Sequence, residues 1–286
     1  MISGKTAIYG IFGHPVEHTF SPGMHNSAFR KLGLNACYVP FAVRPESLGD
    51  AARSIIPLGL RGLNITVPHK QNVIPYLDEL TEDAKLIGAV NTIEVKGGRL
   101  IGHNTDGRGF IRSLRLETGI SPKGKSVLIL GAGGASRAVS FSLALAGARN
   151  IALYDVDRKK ANALAKDIRS RAGAACSAVD RDSLSEAAYG AHIIVNATPL
   201  GLKKGDPLPL PREVINKTHL VCDLVYNPAR TALLKTAATR GASTLQGIGM
   251  LLYQGVIAFE IWTGMKAPVG TMHAALKLQM AHRKNN

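Results

Sequence analysis

Ser126-Val-Leu-Ile-Leu130-Gly131-Ala132-Gly133-Gly134-Ala135-Ser136-Arg137-Ala138 is the stretch that decides the fold. A short apolar run of strand length stops at a glycine cluster, and a helix-prone segment follows at once. Glycine lets a backbone approach a pyrophosphate closely, and a helix N-terminus offers N–H groups and the positive end of its dipole. The reading is therefore strand, dinucleotide-binding turn, helix, with Gly131, Ala132, Gly133, Gly134 and Ala135 as the cradle. Ser136 stands where the third glycine of GxGxxG belongs, so the same residues also admit a plain packing turn.

The next strand end carries an acid. Asp155 lies 24 residues beyond Gly131, within Tyr154-Asp155-Val156-Asp157-Arg158. An Asp at this point accepts from a ribose 2′-hydroxyl, which favours NAD. Arg158, Lys159 and Lys160 follow closely, so NADP is the alternative. Asp155 can also be read as a cap for the helix after it.

Outward from this unit, apolar runs alternate with helical patterns, the signature of an α/β chain with parallel sheets. Upstream, strands are expected at Thr6–Gly10, Ala36–Phe41, Gly62–Val67 and Thr92–Val95, the last turning through Gly97-Gly98 into Leu100–His103. Ser21 and Pro22 read as N-cap and first residue of a helix that Gly33 closes. Gly88 ends a second helix, opened by Thr81. A helix follows Asp106, and Ser121–Lys125 reads as a linker. Downstream come Ile151–Tyr154, a helix from Arg158 to Arg171, Ala174–Ala178, His192–Ala197 and Leu220–Val225. Helices follow Gly249 and Pro268. Two α/β domains result: residues 1–110, with 250–286 packing back on them, and residues 111–249 for the dinucleotide.

Three polar segments interrupt the apolar first half. Asn64-Ile-Thr66-Val-Pro68-His69-Lys70 sets Asn64 and Thr66 on one strand face. Ala89-Val-Asn91-Thr92 and Gly102-His-Asn104-Thr105-Asp106-Gly107 are similarly polar. A lone Lys is ordinarily solvated and an Asp before Gly ordinarily a turn or cap. As a pair, Lys70 and Asp106 are candidates for general acid/base work on an alcohol or carbonyl.

Composition narrows the class. Hydrophobic residues make up 45% of the 286 and charged residues 19%, enough to bury a core. No apolar stretch approaches membrane-spanning length. The N-terminus reads as a strand and not a signal peptide, so a cytoplasmic location is expected. The three cysteines, Cys37, Cys176 and Cys222, suit buried reduced thiols better than a disulfide framework. Pro15 and Pro22 keep His14, His18 and His25 from sharing a helix, and no metal site is expected. The net charge of +15 is uneven: residues 1–110 carry 11 basic and 9 acidic groups, the remainder 24 and 11. With aromatics at 5%, that suits steering of an anionic cofactor better than nucleic-acid binding.

The ordered motifs resemble the shikimate dehydrogenase and quinate/shikimate dehydrogenase family. They run nearly end to end: Gly13-His-Pro-Val-Glu-His18-Thr19-Phe20-Ser21-Pro22 with His25-Asn26, Asn64 to Lys70, Gly88-Ala-Val-Asn91-Thr92, and Asn104-Thr-Asp106-Gly107. Gly131 to Ala135, Asn196-Ala-Thr198-Pro-Leu-Gly201, Asp223-Leu-Val-Tyr226-Asn-Pro228 and Gly249-Met250 to Gln254 complete the set.

The resemblance implies a substrate domain, a Rossmann-like cofactor domain and C-terminal helices returning to the first. It implies hydride transfer between a nicotinamide cofactor and shikimate, giving 3-dehydroshikimate, a step toward chorismate and the aromatic amino acids. Quinate is the alternative substrate. Lys70 and Asp106 match the family's catalytic pair. Thr19 and Ser21 match the hydroxyls that hold the substrate carboxylate; Thr66, Asn91, Asp106 and Gln254 match ligands of the ring hydroxyls, with Tyr226 nearby. Thr198, Leu224, Gly247 and Met250 match positions around the ribose and nicotinamide. Two departures stand out. Asp155-Val156-Asp157 replaces the Asn-Arg-Thr usual in NADP members, and Thr19 replaces a Ser. Both lean toward an NAD-preferring member that also accepts quinate. A small-molecule substrate is the expected partner, and the chain is expected to be a monomer or homodimer.

Overall fold

The computed structural model describes residues 2–282. The chain divides into two compact units, one running to Thr105 and resuming at Gln254, the other spanning Asp106–Tyr253.

The first unit holds β1 (Ala7–Gly13), α1 (Ser21–Lys31), β2 (Ala36–Ala42), α2 (Leu48–Arg53), β3 (Leu60–Ile65), β4 (Glu79–Leu80), α3 (Glu82–Ile87), β5 (Thr92–Lys96) and β6 (Arg99–His103). Its six-stranded sheet runs β2-β1-β3-β5-β6-β4. The pairs β1–β2 and β1–β3 are parallel, while β3–β5 and β5–β6 are antiparallel. The hairpin turn uses Gly97 at φ 57° and Gly98 at φ 73°, left-handed values that only glycine adopts without strain. One face buries Phe12, Leu63, Ile65, Val90 and Ile93 with Ala52 of α2 and Ile55 just beyond it.

The second unit holds α4 (Asp106–Thr118), β7 (Ser126–Leu130), α5 (Gly134–Leu145), β8 (Asn150–Tyr154), α6 (Arg158–Ala172), β9 (Cys176–Ala178), α7 (Leu184–Tyr189), β10 (Ile193–Asn196), β11 (Leu220–Asp223), α8 (Ala232–Thr239) and β12 (Ser243–Gln246). Its sheet runs β12-β11-β10-β7-β8-β9, with every pair parallel. That order is the doubly wound Rossmann arrangement, with its crevice at the β7/β10 switch point. β7 is buried along its whole length, as a central parallel strand with both faces covered must be. α9 (Gly247–Thr263) begins in this unit and ends in the first, and α10 (Val269–His282) belongs to the first.

Several expectations need correction. The divisions expected at 110/111 and 249/250 fall inside α4 and α9. Asp106 already begins the hydrogen-bonded helix, and Gly249 sits within one. Phe20, not Ser21, is the N-cap of α1, and Ser21 is its first residue. β3 stops at Ile65, so Thr66 lies just beyond the strand. β4, β12, α2, α7 and α8 had no counterpart in the sequence reading; the strands are two and four residues long.

Candidate active site

A buried polar chain crosses the first unit. Burial lifts the Tyr38 phenol well above its ordinary range. Tyr38 Oη donates to Asn64 Oδ1 at 2.7 Å. Asn64 Nδ2 donates to the Asn91 carbonyl at 3.2 Å and to Thr92 Oγ1 at 3.1 Å. Thr92 Oγ1 donates to Asn91 Oδ1 at 3.1 Å. Asn91 Nδ2 then donates to Thr105 Oγ1 at 2.9 Å and reaches Gln254 Oε1 at 3.5 Å. All six residues are buried. Each polar atom placed there in a satisfied network fixes side-chain orientation, which a polyol-recognising surface requires.

Around this chain the sheet gathers the expected substrate residues. His14 N–H donates to the Val67 carbonyl at 3.0 Å, joining the loops that leave β1 and β3. Thr66 N–H donates to the Phe12 carbonyl at 2.9 Å, and the Thr66 methyl occupies the space a Cβ on Gly13 would need. His69, fully buried, pins the following turn through Nε2 to the Val43 carbonyl at 2.7 Å. The Lys70 carbonyl accepts the Val90 N–H at 2.7 Å, which ties the turn after β3 to the segment before β5. Thr19 Oγ1 accepts the Ser21 N–H at 3.2 Å, so Thr19 supplies the side-chain bond at the start of α1 that Ser21 was expected to supply.

The second unit carries the dinucleotide turn and its surroundings. Gly131 has φ 99°, and a Cβ there would lie 2.9 Å from the Ala197 carbonyl oxygen, so only glycine fits. Gly133 is the N-cap of α5 and receives no side-chain cap; a Cβ on it would meet nothing within 4 Å. An open, uncapped helix start beside an obligatory glycine is what a pyrophosphate needs. Ser136 is fully buried and donates its hydroxyl to the Gly131 carbonyl, which ties the turn at the position where a third glycine is usual.

Asp155 is occupied by backbone. Its Oδ2 accepts the Ala132 N–H at 2.7 Å and its Oδ1 the Asp157 N–H at 2.8 Å. The cap of α6 is Asp157, which accepts from the Lys159 and Lys160 backbones. Val156 points into solvent at 92% exposure. Arg158 is drawn toward Asp180 at 3.8 Å and Lys160 toward Asp157 at 3.6 Å.

Thr198, Leu224 and Gly247 meet at the carboxyl ends of β10, β11 and β12. Leu224 N–H donates to the Asn196 carbonyl at 2.9 Å. Gly247 packs on the Leu224 backbone where any Cβ would collide. Met250 follows in the first turn of α9, and Tyr226 is half-buried in the segment after β11. Asp106 is buried as the first residue of α4, and Gly107 lets α4 press against Ala138 and Ser142 of α5. The glycine after this Asp thus serves helix packing and not a turn. Asp106 and Tyr226 lie in the second unit, and Lys70, Thr66, Asn91 and Gln254 in the first.

Four residues of the polar chain, Tyr38, Asn64, Thr92 and Thr105, were given no site role by the sequence, although the last three lie in its polar segments. Tyr38 sits in an otherwise apolar strand, and nothing local marks its phenol. Among the described residues no three of His, Cys, Asp and Glu come together to hold a metal ion. The cysteines are free, and burial pushes the Cys176 thiol up to about 12 and the Cys222 thiol higher still.

Residues 11–93 match the shikimate dehydrogenase substrate binding domain, and residues 247–277 match the shikimate 5′-dehydrogenase C-terminal domain. A shikimate dehydrogenase (NADP(+)) of Desulforamulus reducens is 48% identical over 284 residues, covering 98% of each chain. The chain belongs to the shikimate dehydrogenase family. Shikimate 5-dehydrogenase of Listeria monocytogenes, solved with shikimate and NAD, is 37% identical with a TM-score of 0.90, over 96% of this chain and 98% of that one. Quinate dehydrogenase of Corynebacterium glutamicum, solved with NAD, is 34% identical with a TM-score of 0.90, over 96% and 99%. The family's members are oxidoreductases acting on the CH–OH of shikimate, with a nicotinamide dinucleotide as cofactor. No described helix is long and apolar enough to cross a membrane.

Proposed function

We propose that this chain interconverts shikimate and 3-dehydroshikimate, that NAD serves it better than NADP, and that quinate is a second substrate. The observation that carries the reaction is the buried polar chain from Tyr38 to Gln254, in a family whose members act on this polyol acid.

Thr19 and Ser21 donate hydroxyl hydrogens to the substrate carboxylate. Thr66, Asn91 and Gln254 hold ring hydroxyls and orient the carbon that reacts, with Asp106 and Tyr226 as further contacts. Lys70 takes the proton from the reacting hydroxyl in oxidation and returns it in reduction, and Asp106 assists. General acid/base help of this kind contributes about 10²–10⁴-fold. Gly131 to Ala135 cradle the pyrophosphate, and Thr198, Leu224, Gly247 and Met250 flank the nicotinamide ribose. The bound dinucleotide supplies the hydride acceptor or donor.

The preference for NAD rests on the Asp155 carboxylate and the exposed Val156, which together offer a 2′-phosphate no fixed cation. The quinate reading rests on Thr19 and on the quinate dehydrogenase neighbour. A cytoplasmic monomer or homodimer goes with this reading. The test is a two-by-two assay, shikimate or quinate with NAD or NADP. Reduction of neither dinucleotide by shikimate sinks the reaction; a higher kcat/KM with NADP sinks the cofactor preference.

A further inference from the structure

The carboxyl ends of β10 and β11 are joined by a side-chain hub centred on one acid. Asp223 is 1% exposed and is the last residue of β11. Its Oδ1 accepts Asn196 Nδ2 at 2.9 Å and the Val225 N–H at 3.0 Å. Its Oδ2 accepts the Thr231 hydroxyl at 2.6 Å. Burial raises the Asp223 carboxyl above its ordinary range, and those three donors offset only part of the rise.

The hub extends from both ends. Asn196 is fully buried, and its Oδ1 accepts both the N–H and the hydroxyl of Thr198, at 3.1 and 2.6 Å. Asn196 Nδ2 also donates to the Leu200 carbonyl at 3.0 Å, and Thr198 Oγ1 accepts the Leu200 N–H at 3.2 Å. Thr231 Oγ1 accepts the Leu234 N–H at 3.3 Å and caps α8. The chemistry admits one arrangement. The Asn196 amide nitrogen faces two acceptors and its oxygen two donors, so the amide cannot flip while Asp223 is in place. The Thr198 hydroxyl donates to Asn196 and is thereby aimed.

We propose that Asp223 is a positioning residue for the dinucleotide site. It fastens the strand end that carries Thr198 to the segment that carries Leu224 and Tyr226, so that these groups meet the cofactor in one fixed geometry. It does not itself touch the dinucleotide. This rests on the reading of Thr198 and Leu224 as cofactor neighbours given above.

The substitutions separate positioning from plain stability. Asp223→Leu removes every acceptor and leaves Asn196, Val225 and Thr231 with buried donors unmet. Asp223→Asn keeps one oxygen for Asn196 and Val225, while its amide nitrogen donates to a reoriented Thr231 hydroxyl. Asn196→Ala cuts the link to Thr198 but leaves Asp223 its bonds to Val225 and Thr231, and serves if Asp223→Leu does not fold. Ile168→Ala, in the fully buried face of α6, is the control for lost stability alone.

Calorimetric titration of NAD and NADP into the full chain gives the readout. Asp223→Leu and Asn196→Ala are expected to weaken dinucleotide binding about tenfold or more, because unmet buried donors and a freed Thr198 act on the bound geometry. Asp223→Asn and Ile168→Ala are expected to stay within about threefold of the wild type. Wild-type affinity in folded Asp223→Leu or Asn196→Ala overturns the positioning role alone, provided the parent oxidises shikimate. Equal weakening in Ile168→Ala overturns it too. A parent chain that binds neither dinucleotide overturns both this role and the function on which it rests.

Discussion

The Asp155 carboxylate accepts the backbone N–H of Ala132 at 2.7 Å, so the acid at the end of β8 also braces the turn after β7. A 2′-phosphate brought here meets a carboxylate that cannot swing away without releasing Ala132 and Asp157. At 4 Å and an effective dielectric near 20, like charges repel by about 4 kcal/mol as an upper guide. Solvent and the exposed Arg158, Lys159 and Lys160 reduce this. A residual of about 1.4–2.8 kcal/mol corresponds to about 10- to 100-fold in kcat/KM. NAD is therefore expected to outperform NADP, although relatives 42–48% identical carry NADP(+) in their names.

Asp155→Asn with Val156→Arg should narrow or reverse that preference, because one amide oxygen still braces Ala132 while an arginine at an exposed position faces the phosphate. Asp155→Ala should instead weaken both dinucleotides, since the turn loses its brace. Side-by-side kcat/KM values separate the two outcomes. A wild type that favours NADP would assign the choice to the basic trio.

Lys70 can be truncated without disturbing its own anchor, because the bond to Val90 uses the Lys70 carbonyl. Lys70→Ala should lower kcat by about 10²–10⁴-fold with Tm nearly unchanged. Asp106 is buried at the start of α4, so Asp106→Asn is the better probe of its charge. A similar fall in kcat is expected. Near-wild-type kcat in both purified variants removes the pair from the mechanism.

Thr19, and not Ser21, supplies the side-chain acceptor at the start of α1. Thr19 Oγ1 takes the Ser21 N–H at 3.2 Å. Thr19→Ser keeps that bond and drops only the methyl group. Its KM for shikimate should stay close to wild type. Thr19→Val loses the bond and the carboxylate donor together, so KM should rise and Tm fall by the equivalent of about 0.5–2 kcal/mol, the usual worth of a helix-start side chain. An unchanged KM for both shikimate and quinate in Thr19→Val excludes a carboxylate contact.

These two residues also mark the limit of what the sequence discloses. The glycine turn after β7 was legible because strand period, glycines and helix start lie within thirteen consecutive residues. The N-cap of α1 was not, since Phe20 and Ser21 differ only in which one the backbone leaves outside the helix. The links from Tyr38 to Asn64 and from Asn64 to Thr92 join residues 26 and 28 apart, brought together by sheet pairing. No local pattern encodes such a bond. Asn64 was marked as polar in an apolar strand, yet its partners emerge only from the order β2-β1-β3-β5.

His25 gives a pH-dependent prediction. Its ring is fully buried, stacks on Tyr38 at 4.5 Å and lies 5.3 Å from Trp262, and neither ring nitrogen has a hydrogen-bond partner. Burial lowers its pKa from 6.5 to about 3. The unfolded chain therefore takes up a proton as pH falls through 6.5, while the folded chain does not until about 3. Stability is present above pH 6.5 and is lost progressively below it. Between pH 7 and pH 5 the loss from this one group is about 2 kcal/mol. Carboxylates held below their ordinary range, such as Asp180 and Asp206, act in the same direction but at lower pH. His219, also lowered by burial, overlaps with His25 in the same window, so the comparison must be between variants. His25→Phe sacrifices no hydrogen bond and keeps the aromatic stack, with Gly255 alongside offering no side chain to obstruct the larger ring. Denaturant unfolding at pH 7 and pH 5 should show a smaller acid loss in His25→Phe than in the wild type, by about 2 kcal/mol. Equal losses in the two proteins would mean that His25 is protonated in the folded state at pH 5.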